Sequence, residues 1–269
     1  MFRKCFDFSG VCLCISAPCE LAVTDKLSRF ETEREDACVT VRLSFADALP
    51  QPHEGDGRRY LYNTARDKNA APYAAVEGEG ADRSILVSEE YRKFTDAVSV
   101  LKTLDLNHIF LERNAVVLHA SYIEHEGDVV LFCAPSGTGK STQAELWKKY
   151  RSARIINGDR CLIRKGEAGF TAGGIYYSGT SEYCENRTLP IKAIVLLRKA
   201  RENSIEPIGG ITAFRSIFRE CAHKTAYPDD PALAAMLISE LVKTVPTALL
   251  SCLPDEGAVC TLEEYLRRI

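Results

Sequence analysis

The stretch whose residue types and spacing could do chemistry is Ala134-Pro135-Ser136-Gly137-Thr138-Gly139-Lys140-Ser141-Thr142. Glycines at 137 and 139 allow backbone N–H groups to turn inward around phosphate oxygens, so residues Ser136 to Thr142 form a candidate phosphate-binding loop. Lys140 has the reach for β- and γ-phosphates, and Ser141 has the hydroxyl that holds Mg²⁺ in such loops. Thr142 either touches the α-phosphate or starts the next helix. The full Walker A pattern wants glycine where Ala134 stands, so the match misses by one residue. The competing reading is a glycine-rich turn before an ordinary helix.

A second candidate is Asp159, in Asn157-Gly158-Asp159-Arg160. An aspartate at the carboxyl end of a strand beside a phosphate loop is placed to coordinate Mg²⁺ or to take a proton from an acceptor hydroxyl. The bland alternative is an aspartate that turns the chain. Arg160 and Arg187 are candidates to steady equatorial phosphate oxygens. Gly173 to Ser181 is rich in glycine and hydroxyls, which suits either a surface loop or a backbone that approaches a ligand closely.

These residues need elements to position them. Val129 to Cys133 is a short apolar run that predicts a buried strand feeding the loop. Ala144, Trp147 and Tyr150 share one helical face, which predicts a helix leaving it. Ala115 to Ile123 and the turn at Gly127 predict a hairpin into the loop strand. Ala153 to Asn157 predicts the strand that ends at Asp159, and Cys161 to Lys165 and Phe170 to Ala172 two more. Ile191 to Leu197 predicts a central strand. Helices are expected at Thr212 to Cys221, Pro231 to Lys243 and Thr261 to Ile269, and strands at Asn203 to Ile208 and Thr247 to Leu253. Asp229 and Asp230, just before Pro231, read as helix caps.

Residues 1–110 have a different texture. Val11 to Ile15 is continuously apolar, and Val39, Val41, Leu43 and Phe45 alternate with polar residues. Further short strands are expected near residues 60–62, 73–76 and 85–87, and one helix, capped by Ser88, from Glu89 to about Glu112. His53 falls in a turn-rich segment and reads as a surface residue. The expected division is therefore a β-rich region, 1–110, ending in a connecting helix, and a nucleotide-binding domain, 111–269. No Gly/Ser linker separates them, so the two are expected to pack together.

The chain has 269 residues, 46% hydrophobic and 26% charged, with a net charge of −3. That balance, without a dense Lys/Arg stripe, argues against nucleic acid or an anionic membrane as partner. No signal peptide and no 18-residue apolar run is read, so a cytoplasmic protein is expected. The 11 cysteines are scattered and odd in number, and no C-x-x-C occurs, so free thiols are expected. Homo-oligomerisation is left open. The absence of an Asn-Lys-x-Asp motif argues against a GTPase, and the absence of a Leu-Ser-Gly-Gly-Gln motif against a transporter ATPase.

Leu118-His119-Ala120-Ser121, then Pro135-Ser136-Gly137-Thr138-Gly139-Lys140-Ser141, then Asn157-Gly158-Asp159, in that order, resemble the catalytic domain of the HPr kinase/phosphorylase family. The likeness is strongest to its small relatives, among them lasso-peptide kinases and proteins encoded near peptide-modification systems, and covers about residues 115–200. The resemblance implies an α/β fold with a P-loop core of HPr kinase/phosphoenolpyruvate carboxykinase type, and a β-rich N-terminal region packed on it. It implies transfer of phosphate from ATP, with Mg²⁺, to a serine hydroxyl of a peptide, protein or small molecule. Lys140 would neutralise the phosphates, Ser141 and Asp159 would ligate the metal, Asp159 would serve as base, and His119 would sit beside the transferred phosphate. The family has two adjacent aspartates where this chain has Gly158-Asp159-Arg160, and the acidic residue before its Arg-Gly signature is absent near Thr171-Ala172-Gly173-Gly174, a place that Glu182 or Glu185 would have to fill. A nucleotide-binding regulatory or scaffold protein without transfer activity is the alternative.

Overall fold

Val39, Val41 and Leu43 alternate with polar residues, and all three are buried, as one dry sheet face requires. They belong to a computed structural model that describes residues 1–36, 39–63, 71–222 and 225–269. The chain is mixed α/β, with two sheets in two compact units, Met1–Ile109 and Phe110–Ile269. Among the described residues no helix is long and apolar enough to cross a membrane.

The first unit contains β1 (Phe2–Phe8), β2 (Val11–Ala17), α1 (Asp25–Ser28), β3 (Glu31–Thr32), β4 (Val39–Ala46), β5 (Arg59–Tyr62), β6 (Pro72–Glu77) and β7 (Asp82–Ser88). The strands form one seven-stranded sheet in the order β3-β1-β2-β4-β7-β6-β5. The expectation of free thiols fails here. Antiparallel register sets Cys5 opposite Cys14, with Cα atoms 4.0 Å apart, and the two are joined as a disulfide. Cys38 lies outside the described residues.

The single helix expected from Glu89 to Glu112 is instead three pieces: a 3₁₀ turn (Glu89–Phe94), α2 (Ala97–Thr103) and α3 (Leu106–Glu112). Ser88 makes no side-chain cap bond. Asp96 starts a new helix by accepting from Ser99 N at 2.7 Å, while Ser99 Oγ accepts from Asp96 N at 2.8 Å. Asp105, in a left-handed conformation at φ 59°, breaks it again. The apolar face survives the breaks, since Ala97, Leu101, Leu104 and Ile109 are all buried.

The second unit runs β8 (Ala115–His125), β9 (Asp128–Cys133), α4 (Lys140–Arg151), β10 (Arg154–Asn157), β11 (Arg160–Gly166), β12 (Gly169–Gly173), β13 (Thr188–Lys199), β14 (Ser204–Pro207), α5 (Gly210–Arg219), α6 (Asp230–Thr244), β15 (Thr247–Cys252) and α7 (Glu256–Leu266). β9 is held between β8, antiparallel, and β13, parallel, and β13 pairs in parallel with β15. β8 also pairs β11, β11 pairs β12, and β12 pairs β13, so strands β8, β11, β12, β13 and β9 close a circuit. Alternation along β9 divides two cores. Val130 and Phe132 pack with Trp147 of α4 and Leu262 of α7, while Leu131 and Cys133 pack with Ile217 of α5 and Leu241 of α6.

Two helix starts differ from expectation. Asp229, at the N-cap position of α6, makes no side-chain cap bond, and Asp230 is fully buried and accepts a hydrogen bond from Thr225 Oγ1. α7 begins ahead of Thr261, at Glu256, because Asp255 Oδ1 accepts from Ala258 N at 3.1 Å.

Candidate active site

The loop from Ala134 to Gly139 leaves the end of β9 and delivers Lys140 to the first position of α4. Gly137 and Gly139 have φ of 77° and 123°, a region that a side chain would strain, and a Cβ at either would meet nothing within 4 Å. Ser136 and Gly137 are exposed and Thr138 is half-buried. The loop therefore offers open space at the amino end of a 12-residue helix, where unpaired amides favour an anion.

Lys140 is 7% exposed, and its Nζ donates to Ala134 O at 2.7 Å and to Pro135 O at 3.4 Å. Burial pushes its pKa down, and the carboxylate of Glu220, followed by Cys133 and Asp159, pulls it up. At the root of the loop, burial pushes the Cys133 thiol up to about 12, which makes it an inert core residue. Ser141 is exposed, with its Oγ 3.5 Å from Gly158 O, and Thr142 is exposed beside it.

Asp159 is placed by a buried amide. Asn157, at the end of β10, is fully buried, and its Oδ1 accepts from Asp159 N at 2.9 Å and Arg160 N at 3.0 Å. Its Nδ2 donates to Ile175 O at 3.2 Å and Tyr177 O at 3.4 Å, which ties the turn to the segment after β12. One side chain thus closes the Gly158-Asp159 turn and anchors a second loop to it.

Both carboxylate oxygens of Asp159 have cationic or imidazole neighbours. Oδ2 accepts from Arg160 Nε at 3.1 Å, and Oδ1 stands 3.2 Å from His119 Nε2. His119 comes from β8, whose register opposes it to Arg160 at the start of β11. The other ring nitrogen, Nδ1, stands 3.2 Å from Glu220 Oε2. Glu220 was not singled out in the sequence. It lies past α5 in no motif, and the only local signal is a carboxylate at the end of an amphipathic helix.

A cavity of about 380 Å³ opens beside these groups, and Ser121, Ser141, Gly158, Asp159, Ser178 and Thr180 contribute to its wall. Ser121 is fully buried, and its Oγ has no hydrogen-bond partner. The turn Ser178 to Ser181, closed by Ser181 N donating to Ser178 O at 2.9 Å, packs on Gly158 and Asp159. A Cβ at residue 158 would lie 2.2 Å from Ser181 Oγ and 2.7 Å from Ser181 Cβ, so a side chain there would require Ser181 to move. Glu182 is on the cavity wall, whereas Glu185 is paired with Arg154 at 2.7 Å. Arg187 donates to Glu124 Oε1 at 2.6 Å, a partner outside the His119–Asp159 cluster.

The open glycine loop and the buried lysine fit a bound triphosphate. Among the described residues no group of three or more His, Cys, Asp or Glu side chains is arranged to hold a metal. A divalent cation resting on Ser141 and Asp159 would therefore draw its remaining oxygens from phosphate and water, the manner in which Mg²⁺ binds beside nucleotides.

No curated protein matches the chain. Among solved structures, the HPr(Ser) kinase/phosphatase of Coxiella burnetii is similar at 11% identity and a TM-score of 0.36, over 56% of this chain and 96% of that one. A family model described as "SynChlorMet cassette protein ScmC" matches residues 95–252, more than half of the 269 residues and all of the loop, turn and histidine described above. The chain belongs to the SynChlorMet cassette protein ScmC family, a family distinct from HPr kinase itself.

Proposed function

We propose that this protein is an ATP- and Mg²⁺-dependent phosphotransferase that moves the γ-phosphate to a hydroxyl, of serine type, on a peptide, protein or small molecule. One observation carries the reading: Ser141, next in the chain to Lys140, and Asp159, which stands 3.2 Å from His119, line a single cavity. The ordered sequence motifs that resemble HPr kinases, which contain the same residues, also support it. Bound Mg²⁺–ATP would supply the phosphoryl group and a cation to neutralise its charge, with Ser141 and Asp159 the residues that would hold the metal. The amides of Gly137 to Lys140 hold the phosphates, and Lys140 exchanges the carbonyls of Ala134 and Pro135 for phosphate oxygens. Asp159 would accept the proton of the acceptor hydroxyl, using a lone pair that neither His119 nor Arg160 occupies, as that oxygen bonds to the γ-phosphorus and the bond from this phosphorus to the bridging oxygen breaks, with ADP as the leaving group. Such a reaction needs positioning and charge neutralisation more than covalent participation by the protein.

A specific observation favours a second reading, a nucleotide-binding regulatory or scaffold protein of its cassette. The turn Gly158-Asp159-Arg160 carries one carboxylate, and Ser181 crowds the position of Gly158. Calorimetric titration of ATP·Mg²⁺ into wild type, Lys140→Ala and Asp159→Ala, followed by radiolabel transfer to candidate peptides, separates the two. The kinase reading expects micromolar binding that Lys140→Ala abolishes, and transfer that Asp159→Ala abolishes while binding persists. Binding with no transfer in wild type would favour the scaffold. No binding at all would overturn both.

A further inference from the structure

Glu220 reaches the site from a segment that no motif includes. Beyond α5 the chain runs beside β8: Glu220 O accepts from His119 N at 2.9 Å, Leu118 bridges Cys221, and Ala222 N donates to Val117 O at 2.8 Å. The Glu220 side chain is 10% exposed, and its Oε2 stands 3.2 Å from His119 Nδ1. The same imidazole presents Nε2 to Asp159 Oδ1, also at 3.2 Å. Backbone and side chain of one glutamate therefore grip one histidine.

We propose that Glu220 is a positioning residue of this site: it accepts the Nδ1 hydrogen of His119, fixing the ring so that Nε2 is presented to Asp159. An imidazole turns about two single bonds, and a contact at one nitrogen leaves the ring able to flip. A carboxylate at the second nitrogen removes that freedom, as it does for histidines in catalytic and metal sites. The grip matters because displacing a reacting group by about 1 Å can cost about 100-fold in rate. The placement of Glu220 also sets a negative charge near Lys140, where it offsets the burial of that ammonium. The role given to Glu220 rests on the phosphotransferase reading for its purpose, but the positioning is measurable without nucleotide.

The test uses the full chain with ¹⁵N-labelled histidine, long-range ¹H–¹⁵N spectra at one fixed pH, and His119→Ala to assign the ring. Wild type is expected to show His119 with hydrogen on Nδ1, protected from exchange. Glu220→Gln, which keeps an acceptor oxygen, is expected to retain that signal, and Glu220→Met, which keeps the volume without the acceptor, to lose it. Identical His119 signals in wild type and Glu220→Met would overturn the proposal, as would an Nε2-only tautomer in wild type. A double-variant cycle on stability gives a second reading. Glu220→Met and His119→Ala together are expected to cost about as much as the larger single change, whereas additive costs would mean that Glu220 does not act through His119. Failure of ATP to bind would sink the phosphotransferase reading and leave these spectra unchanged; unchanged spectra with ATP binding intact would sink the Glu220 role alone.

Discussion

At the scale of single residues, the site holds polar groups whose burial needs a reason. Ser121 is fully buried with no partner for its hydroxyl, two positions along β8 from His119. An unsatisfied buried polar group costs about 1–3 kcal/mol. Ser121→Ala is therefore expected to leave the folded protein as stable as wild type or more stable by about 1 kcal/mol, measured by urea denaturation. A loss of stability would mean that the hydroxyl is satisfied in solution. Lys140 shows the opposite arrangement, since a buried ammonium on two loop carbonyls is paired and still has carboxylates nearby.

At the scale of elements, the turn after β10 and the turn from Ser178 to Ser181 form one unit, packed so closely that residue 158 has no space for a side chain. Gly158→Ala is expected to destabilise by about 1–3 kcal/mol, the usual cost of overpacking. Adding Ser181→Gly should recover most of that loss in thermal melts, because it removes the atom 2.2 Å from the new methyl group. A second pair of elements is joined by charge. Arg151 at the end of α4 donates Nε to Glu263 Oε1 of α7 at 2.8 Å and Nη2 to Oε2 at 2.9 Å. The bonds to Arg151 hold the Glu263 pKa below its ordinary value. A carboxylate depressed by folding contributes stability above its unfolded pKa of about 4.3 and loses it as pH falls through the folded value. The melting-temperature gap between wild type and Glu263→Gln should thus be open at neutral pH and close in acid below about pH 4.

At the scale of the whole molecule, cysteine chemistry separates by depth. Cys133, Cys161, Cys184 and Cys221 are buried, and burial pushes the thiols of Cys133, Cys161 and Cys221 upward. Cys260 is exposed and Cys19 and Cys252 are half-buried. Alkylation of the native protein, followed by peptide mass mapping, should label Cys260 first and leave these four buried cysteines unmodified until denaturant is added. Labelling of Cys133 in the native state would show that the β9 core opens. The same map under non-reducing conditions should recover the peptides of Cys5 and Cys14 joined.

The sequence by itself determined what depends on neighbours along the chain. The apolar run into the glycine loop, the helical face of Ala144 and Trp147, the hairpin before the loop and the central strand through Ile194 were all legible, because each is set by local periodicity and turn chemistry. The tertiary structure decided what depends on residues far apart. His119 and Glu220 are 101 positions apart and meet because the segment after α5 runs along β8. Gly158 has no room for a side chain unless Ser181, which arrives from another loop, moves, and Cys5 finds Cys14 through strand register. Helix breaks at Asp96 and Asp105 are local features that apolar periodicity alone does not show. A capping side chain and one left-handed residue can interrupt a helix without disturbing its apolar spacing, so the pattern of buried residues reads the same across the break.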